Sequence, residues 1–176
     1  MFQEEQERAT GTNRATGMKV GTHIIAGVMA GYIVGATAGL PLLESGALGA
    51  VGGVAAMLPD IDHPHSAIRR KTGVLGTLAA FWMKHRGITH SIAALAVVWG
   101  VMLFIGQPLI GAAVVGGYAS HLLLDGCTPA GVPLFWPASR RVHLLPSVVR
   151  IRTGSFAEQG VALLLIALLF VSAWRG

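Results

Sequence analysis

Apolar residues are gathered into five stretches that alternate with polar connections. Ala, Leu, Val and Gly predominate in these stretches, as they do in helices that cross a lipid bilayer. This pattern predicts an all-α fold, a polytopic membrane bundle of about four or five apolar helices. The stretches cover residues 24–43, 46–58, 91–106, 108–124 and 159–174.

Two of the stretches are short. A membrane span needs about 20 apolar residues, or about 17 at the short end, so 46–58 and 91–106 are expected to thin the bilayer locally or to pack inside the bundle. Two connections are predicted to have structure of their own. Residues 74–83 form a helix at the membrane interface, and 128–137, with its three prolines, folds back over one bundle end.

Glycines recur with a spacing of four within the first two stretches. This spacing keeps small residues on one helix face, which predicts close approach of helix backbones. The glycines concerned are Gly27, Gly31, Gly35, Gly39, Gly49 and Gly53.

The composition agrees with a membrane protein. Hydrophobic residues make up 53% of the chain and charged residues 12%, whereas a soluble domain carries about 25% charged residues. We expect a mobile polar segment over 1–22 and a single membrane-embedded domain over 23–176. Cys127 is the one cysteine, which excludes an internal disulfide and favours a structural role.

The positive charge is distributed asymmetrically. The net charge is +5, and of 13 Lys and Arg residues all but Arg175 fall on one side of the layout. This bias predicts a cytoplasmic N terminus and cytoplasmic long loops. It also accounts for the basic excess without nucleic acid, so the expected partner is membrane lipid, with no oligomeric state indicated.

Histidines and aspartates are concentrated where apolar stretches begin or end, all toward the predicted cytoplasmic face. Four chain segments therefore deliver imidazoles and carboxylates to one layer, where ionisable groups are costly and usually functional. The candidates are His23, then Asp60, Asp62, His63 and His65, then His85 and His90, and finally His121 and Asp125.

His121 and Asp125 are four residues apart, so on a helix they project from the same face and suit two ligands of one cation. A hydrogen bond between the two is the alternative. In Leu58–Pro64 (LPDIDHP) the prolines favour an extended turn, in which Asp60 and Asp62 point the same way. This loop alone has too few oxygens for calcium.

His85 and His90 bracket a turn that contains Gly87, with Thr89 or Ser91 capping the next helix. We expect one of the two histidines to be a metal ligand, and the position beside the cap favours His90. The other is expected to be a proton carrier or an exposed interfacial residue. His65 and His143 lie farther from the span ends and are expected to be ordinary loop residues.

Mixed nitrogen and oxygen donors favour zinc, with manganese or iron as alternatives. The available ligands are His23, Asp60 or Asp62, His90, His121 and Asp125, enough for one catalytic centre or for two metals about 3.5–4 Å apart. Such a centre activates water and stabilises charge on phosphoryl or acyl oxygen, so hydrolysis is the expected reaction class.

Four ordered motifs carry a family resemblance. Leu58–Pro64, His85–Ser91 (HRGITHS), Gly117–Asp125 (GYASHLLLD) and Thr128–Pro137 (TPAGVPLFWP) resemble the YdjM-like family. The resemblance runs from His23 to about Glu158 and implies an inner-membrane, metal-dependent hydrolase. It also implies the LexA control that is described for some members.

The order of these residues is also similar to that of the zinc phospholipase C and single-strand nuclease superfamily. That similarity implies His23, Asp60, His90, His121 and Asp125 as the metal ligands. The chain lacks the later His-x3-Glu pair of that superfamily, which argues against a three-zinc cluster. Asp62, His63 or Glu158 would complete a smaller site, although Glu158 also suits a helix start.

Together these patterns predict a metal-dependent hydrolase that acts on a phosphoester, one that is lipid-derived in the simplest case. Asp62 is the expected general base, with His85 and Glu158 as further catalytic candidates. Arg86, Arg140 and Arg141 are expected to bind phosphate or else to serve topology alone. The alternatives are a non-catalytic metal-binding structural or regulatory protein and a divalent-ion transporter.

Overall fold

The computed structural model describes residues 18–62, 87–138 and 140–175, with the exception of the side chains of Ile61, Asp62 and Arg175. Within these ranges the chain is helical and has five α-helices and two 3-10 helices. The α-helices are α1 (Val20–Thr37), α2 (Leu42–Ala55), α3 (Ile92–Phe104), α4 (Pro108–Gly126) and α5 (Phe156–Arg175), and the 3-10 helices are Leu58–Asp62 and Ser147–Val149.

Four helical segments of the described chain are long and apolar enough to cross a membrane. They are Val20–Thr37, Leu42–Asp60, Pro108–Gly126 and Phe156–Trp174. The fifth helix, α3, has 13 residues and a length of about 20 Å, which is less than the roughly 30 Å of a bilayer core. The all-α polytopic fold and the short third segment are thus confirmed. The predicted interfacial helix over 74–83 lies outside the described residues.

The first two helices begin earlier than the apolar pattern predicts. α1 begins at Val20, so His23 lies inside its first turn instead of preceding it. The second segment is not too short, because α2 begins at Leu42 and the 3-10 helix extends it to a 19-residue segment. Glu44 is exposed within it, since it lies near the helix end where a charge is tolerated.

Glycine ends two of the helices. Gly39 has a φ of 74°, and the N–H of Leu40 donates to the carbonyl of Gly35 at 3.0 Å, which is the Schellman arrangement. Gly106, with a φ of 72°, ends α3 in the same way through Gln107 and Met102. Gly39 is therefore part of a turn, and its inclusion in the packing series was wrong.

The other predicted glycines do lie at helix contacts. α1 packs on α2, α4 and α5, α2 packs on α4, and α3 packs on α4. At the centre of α1, α2 and α4, a side chain at Gly117 would overlap the carbonyl oxygen of Gly52, and one at Gly27 would lie 2.7 Å from the Cβ of Ala56. The backbones of these three helices are in direct contact at this level.

The segment after α4 covers the end of the bundle. Val132 is buried with Tyr118 and Leu122, and it pairs with Val142 through two backbone hydrogen bonds. The N–H of Ile92 donates to the carbonyl of Leu134 at 3.0 Å, which ties this segment to α3. The prediction that 128–137 is irregular and folds back over the bundle is confirmed.

We predict that Gly117→Ala destabilises the protein by about 1–3 kcal/mol, because the added methyl group must push α2 away from α4. Gly46→Ala in α2 is the matched control, since a Cβ there meets nothing within 4 Å. The control should leave stability unchanged or raise it by up to about 1 kcal/mol. Thermal unfolding of the purified protein in detergent measures both changes. Equal melting temperatures for the two variants would contradict the packing described here.

Candidate metal centre

Five of the predicted ligands come together at one end of the bundle. They are contributed by the first turn of α1, the 3-10 helix after α2, the residue before the α3 cap, and the last turns of α4. The five are His23, Asp60, His90, His121 and Asp125, and their donor atoms form two overlapping groups, each within 4.8 Å: His23, His121 and Asp125, and Asp60, His90 and His121.

Two histidine nitrogens and two carboxylate oxygens face one another. Nε2 of His121 lies 3.5 Å from Oδ2 of Asp125 and 3.8 Å from Oδ1 of Asp60. Nε2 of His90 lies 3.7 Å from each of the same two oxygens. An N–H···O hydrogen bond has a length of about 2.7–3.2 Å, so these four atoms are too far apart to be a simple hydrogen-bonded network.

The orientation of the His121 ring is fixed by a hydrogen bond at Nδ1, the ring nitrogen that does not face the carboxylates. Its Nδ1 lies 2.7 Å from the carbonyl oxygen of Ala56, and because a carbonyl only accepts, Nδ1 must carry the proton. In the neutral ring Nε2 then presents a lone pair to the two carboxylates. A second partner of this kind is typical of histidines that bind metals.

The two oxygens of Asp125 face different histidines. Oδ2 faces His90 and His121, whereas Oδ1 lies 3.5 Å from Nε2 of His23. The rings of His23 and His121 are stacked with their centroids 3.9 Å apart. Asp125 thus joins α1 to the rest of the cluster.

Three buried atoms of the cluster have no hydrogen-bond partner among the described residues. They are Nδ1 of His23, Nε2 of His121 and Oδ1 of Asp125. An unpartnered buried polar atom costs about 1–3 kcal/mol. The cluster therefore has unused binding capacity for a cation.

Burial changes across the cluster. His23 and His121 are 2% and 1% exposed, whereas the side chain of Asp60 is 36% exposed. Among these three residues the cluster is therefore most accessible to solvent at Asp60 and least accessible at His23 and His121.

His90 is positioned by the cap of α3. The hydroxyl of Ser91 accepts from the N–H of Ala94 at 3.2 Å and donates to the carbonyl of Ile88 at 2.6 Å. Of the two residues predicted as the cap, Ser91 is therefore the one that caps α3. Thr89 does not cap the helix. Its hydroxyl contacts Nδ1 of His90 at 3.2 Å, and its carbonyl accepts a hydrogen bond from the hydroxyl of Tyr118.

The proline motif after α2 differs from its prediction. Residues 58–62 form a 3-10 helix because the N–H of Asp60 still donates to the carbonyl of Met57, at 3.2 Å, and so the chain is not extended there. Asp60 belongs to the cluster. The side chain of Asp62, predicted as base or ligand, falls outside the described part of the chain.

Glu158 has partners that differ from those expected of a catalytic acid. It is 1% exposed, and Oε1 accepts from the backbone N–H of Lys19 at 2.5 Å and from the hydroxyl of Thr22 at 3.0 Å. Oε2 accepts from the N–H of Gly154 at 2.5 Å. Glu158 therefore caps the start of α1, whose N-cap Lys19 makes no side-chain cap of its own, and fixes the turn that carries His23.

The remaining predicted residues lie apart from these groups or outside the described ranges. Arg140 and Arg141 are exposed, and Arg141 donates to the carbonyl of Ala130 at 3.1 Å. His143 contacts the carbonyl of Pro129 at 3.3 Å and remains a loop residue as predicted.

Burial raises the pKa of the half-buried Cys127 thiol, which keeps it protonated and a poor metal ligand. His63, His65, His85 and Arg86 are outside the described residues.

Two contacts that position residues of the cluster were missed by sequence reasoning. The carbonyl of Ala56 could have been anticipated, because the last carbonyls of a helix lack intrahelical partners and α2 ends just before Pro59. The hydrogen bond from Thr22 to Glu158 could not have been anticipated from the sequence, because the two residues are 136 positions apart.

The fold and the cluster together define a class, a multi-pass helical membrane protein whose helix ends gather imidazoles and carboxylates at one face. Comparison with known families makes this specific. The model of the family described as YdjM inner membrane protein matches residues 18–176, and the chain belongs to this family. It is therefore a multi-pass protein of the bacterial inner membrane.

The relatives agree with this assignment. The chain is 34% identical over 139 residues to the uncharacterized protein YvsG of Bacillus subtilis, a match that covers 78% of this chain and 83% of the relative. It is 38% identical over 95 residues to the inner membrane protein YdjM of Escherichia coli, covering 50% of this chain and 48% of the relative. No solved structure matches the chain.

We predict that Glu158→Ala lowers the free energy of unfolding by about 1–3 kcal/mol for each buried donor that it leaves without an acceptor. Gln159→Ala is the matched control, because Gln159 is exposed on the same turn and should change stability by less than about 0.5 kcal/mol. Thermal unfolding in detergent gives both values. A Glu158→Ala protein as stable as the control would show that this carboxylate does not hold the start of α1.

Proposed function

We propose that this protein is a metal-dependent hydrolase that acts on a phosphoester at the cytoplasmic face of the membrane. The observation that carries the proposal is the spacing of the four facing donor atoms of His90, His121, Asp60 and Asp125, at 3.5–3.8 Å. Two ligands bound tetrahedrally to zinc at about 2.0–2.1 Å lie roughly 3.3 Å apart. The donors are near that spacing and beyond that of hydrogen bonds.

The chemistry of the donors also fits a cation. Two imidazole nitrogens and two carboxylate oxygens suit zinc, with manganese or iron as alternatives. His23, on the Oδ1 side of Asp125, is the fifth ligand that we propose. Nε2 of His121 and Oδ1 of Asp125, both buried without a partner among the described residues, would gain one.

When bound, a divalent ion supplies a Lewis acid for a phosphoryl oxygen and a nucleophilic water near neutral pH. The residues of the chain orient the substrate and move protons. Ala56 keeps the Nδ1 proton of His121 out of the reaction. The proposed general base is Asp62, with His85 as a proton carrier. Arg86, Arg140 and Arg141 are the proposed phosphate donors, of which Arg140 and Arg141 are exposed.

A lipid-derived phosphoester is the substrate class that we favour. The cluster lies at the ends of segments that are long enough to cross a membrane, where lipid headgroups are found. Exposed arginines at the same end match the charge of a phosphate.

A non-catalytic metal-binding protein is the second candidate. The observation that favours it is that the cluster ties the starts of α1 and α3 to the ends of α2 and α4, which is what a structural ion does. A transporter is less favoured, because the described donors are all at one end and ion pathways extend through the membrane.

We predict that the purified protein binds zinc and that His121→Ala or Asp125→Ala weakens binding by more than about 100-fold, since loss of even an outer-shell partner costs about 10–100-fold. Bound metal is measured by elemental analysis after metal-replete purification, and affinity by competition with a chelator. His143→Ala is the matched control, because His143 lies on a loop outside the cluster.

Two results would count against parts of this proposal. A wild-type protein that binds no zinc, manganese or iron would overturn the metal centre. Stoichiometric metal with no turnover of phospholipids or generic phosphodiesters would favour the structural role over the hydrolase.

The orientation has its own prediction, because the positive-inside bias indicates a cytoplasmic cluster. In a Cys127→Ser background, an impermeant maleimide added to spheroplasts should label Gln107→Cys, which lies between α3 and α4 at the opposite bundle end. Arg140→Cys should be labelled only after the membrane is permeabilised. The reverse pattern would mean that the cluster faces away from the cytoplasm.

A further inference from the structure

A groove runs between α3 and α4 on the outside of the bundle. It has a volume of about 450 Å³ and is lined by four residues of α3 and three of α4, all of them apolar. Three of the residues that line it are small, Ala96 on α3 and Ala112 and Gly116 on α4, and Trp99 is the largest.

The groove begins beside the metal centre. Its first residue, Ile92, is two positions after His90, and from Ile92 to Trp99 it extends roughly 10 Å along α3. On α4 the last residue of the groove is Gly116, roughly 7.5 Å along the helix axis from His121. The groove therefore leads from the cluster end of the bundle toward the middle of a candidate membrane span.

We propose that this groove is a binding site for one acyl chain of a lipid whose phosphate group reaches the cluster. The part of this inference that concerns the phosphate rests on the proposed function, whereas binding of the chain does not. The lining supplies only apolar contact, which suits a methylene chain, and the exposed Arg140 and Arg141 at the same end complement an anionic headgroup.

The dimensions favour an acyl chain over another helix. A transmembrane helix is about 10–12 Å wide with its side chains and needs a contact face along most of its length, whereas this groove covers two turns of α3.

Trp99 provides a direct probe of chain binding. A bromine-labelled alkyl phosphate, added to the full-length protein in unlabelled detergent, should quench tryptophan fluorescence saturably. The saturable part should disappear in Trp99→Phe. Inorganic phosphate should not compete for this quenching, since the chain provides the binding energy.

Groove-filling variants test the location. Ala96→Phe should weaken the apparent affinity by at least about tenfold, because displacing even two methylenes from an apolar site has that effect. Ala112→Phe tests the opposite wall. Val97→Phe is the matched control, since Val97 is 65% exposed on the same helix and does not line the groove. Its affinity should equal that of the wild type.

The outcomes separate this proposal from the proposed function. Asp60→Asn should leave quenching by a bromine-labelled alkyl alcohol unchanged, so groove binding would stand even if the metal centre failed. Non-saturable quenching, equal in wild type and Ala96→Phe, would mean that the chain merely partitions into detergent and would overturn the groove. Crosslinked dimers that Ala96→Phe disrupts would overturn it in favour of a second copy of the chain.

Discussion

The contact between the backbones of α1, α2 and α4 is the constraint on which the cluster depends. Gly52 of α2 lies against both Gly27 of α1 and Gly117 of α4, with no side chain between them. One turn farther along, Ala56 presents its carbonyl to His121 of α4. A larger residue at the contact would separate the helices, and the 2.7 Å hydrogen bond that orients His121 would be lost with it.

Because of this close packing, the cluster is built from rigid elements. His23 and His121 are on helices that are pressed together, and their rings stack at 3.9 Å. Asp60 is on the 3-10 helix that follows α2. His90 alone among the five lies outside a helix, and its neighbour Ser91 is fixed by two hydrogen bonds of its own. The spacing of donor groups held in this way is set by the packing of the helices.

Much of the fold could be predicted from the sequence because apolar length and charge report directly on membrane spans. The helix boundaries could not be predicted in this way. Leu42–Ser45 and Val20–His23 contain both polar and apolar residues, and they become helical through local hydrogen bonds and packing. Ser45 is one example, because its hydroxyl donates to the carbonyl of Leu40 at 3.1 Å. The glycine spacing correctly placed Gly27, Gly31, Gly35, Gly49 and Gly53 at helix contacts. It failed at Gly39, where the same residue type ends a helix.

The convergence of the five candidate ligands was predictable for a similar reason. In an up-and-down bundle, alternate helix ends meet at the same face, so residues at span ends are brought together whatever their separation in the chain. Which of the polar residues would face inward was not predictable, because it depends on helix rotation. Glu158 lies at the same bundle end as His23, yet its carboxylate faces the backbone of Lys19 and Gly154 and stabilises the start of α1.

The gradient of burial is the feature that separates a catalytic from a structural interpretation of the cluster. A structural metal site is closed, because every coordination position is occupied by the protein. Here the side chain of His121 is 1% exposed, whereas that of Asp60, in the same donor group, is 36% exposed. An ion among these donors would be held from the interior and reachable from the surface. This asymmetry supports hydrolysis, because water and a phosphoester must reach the ion from one side while the protein holds it from the other.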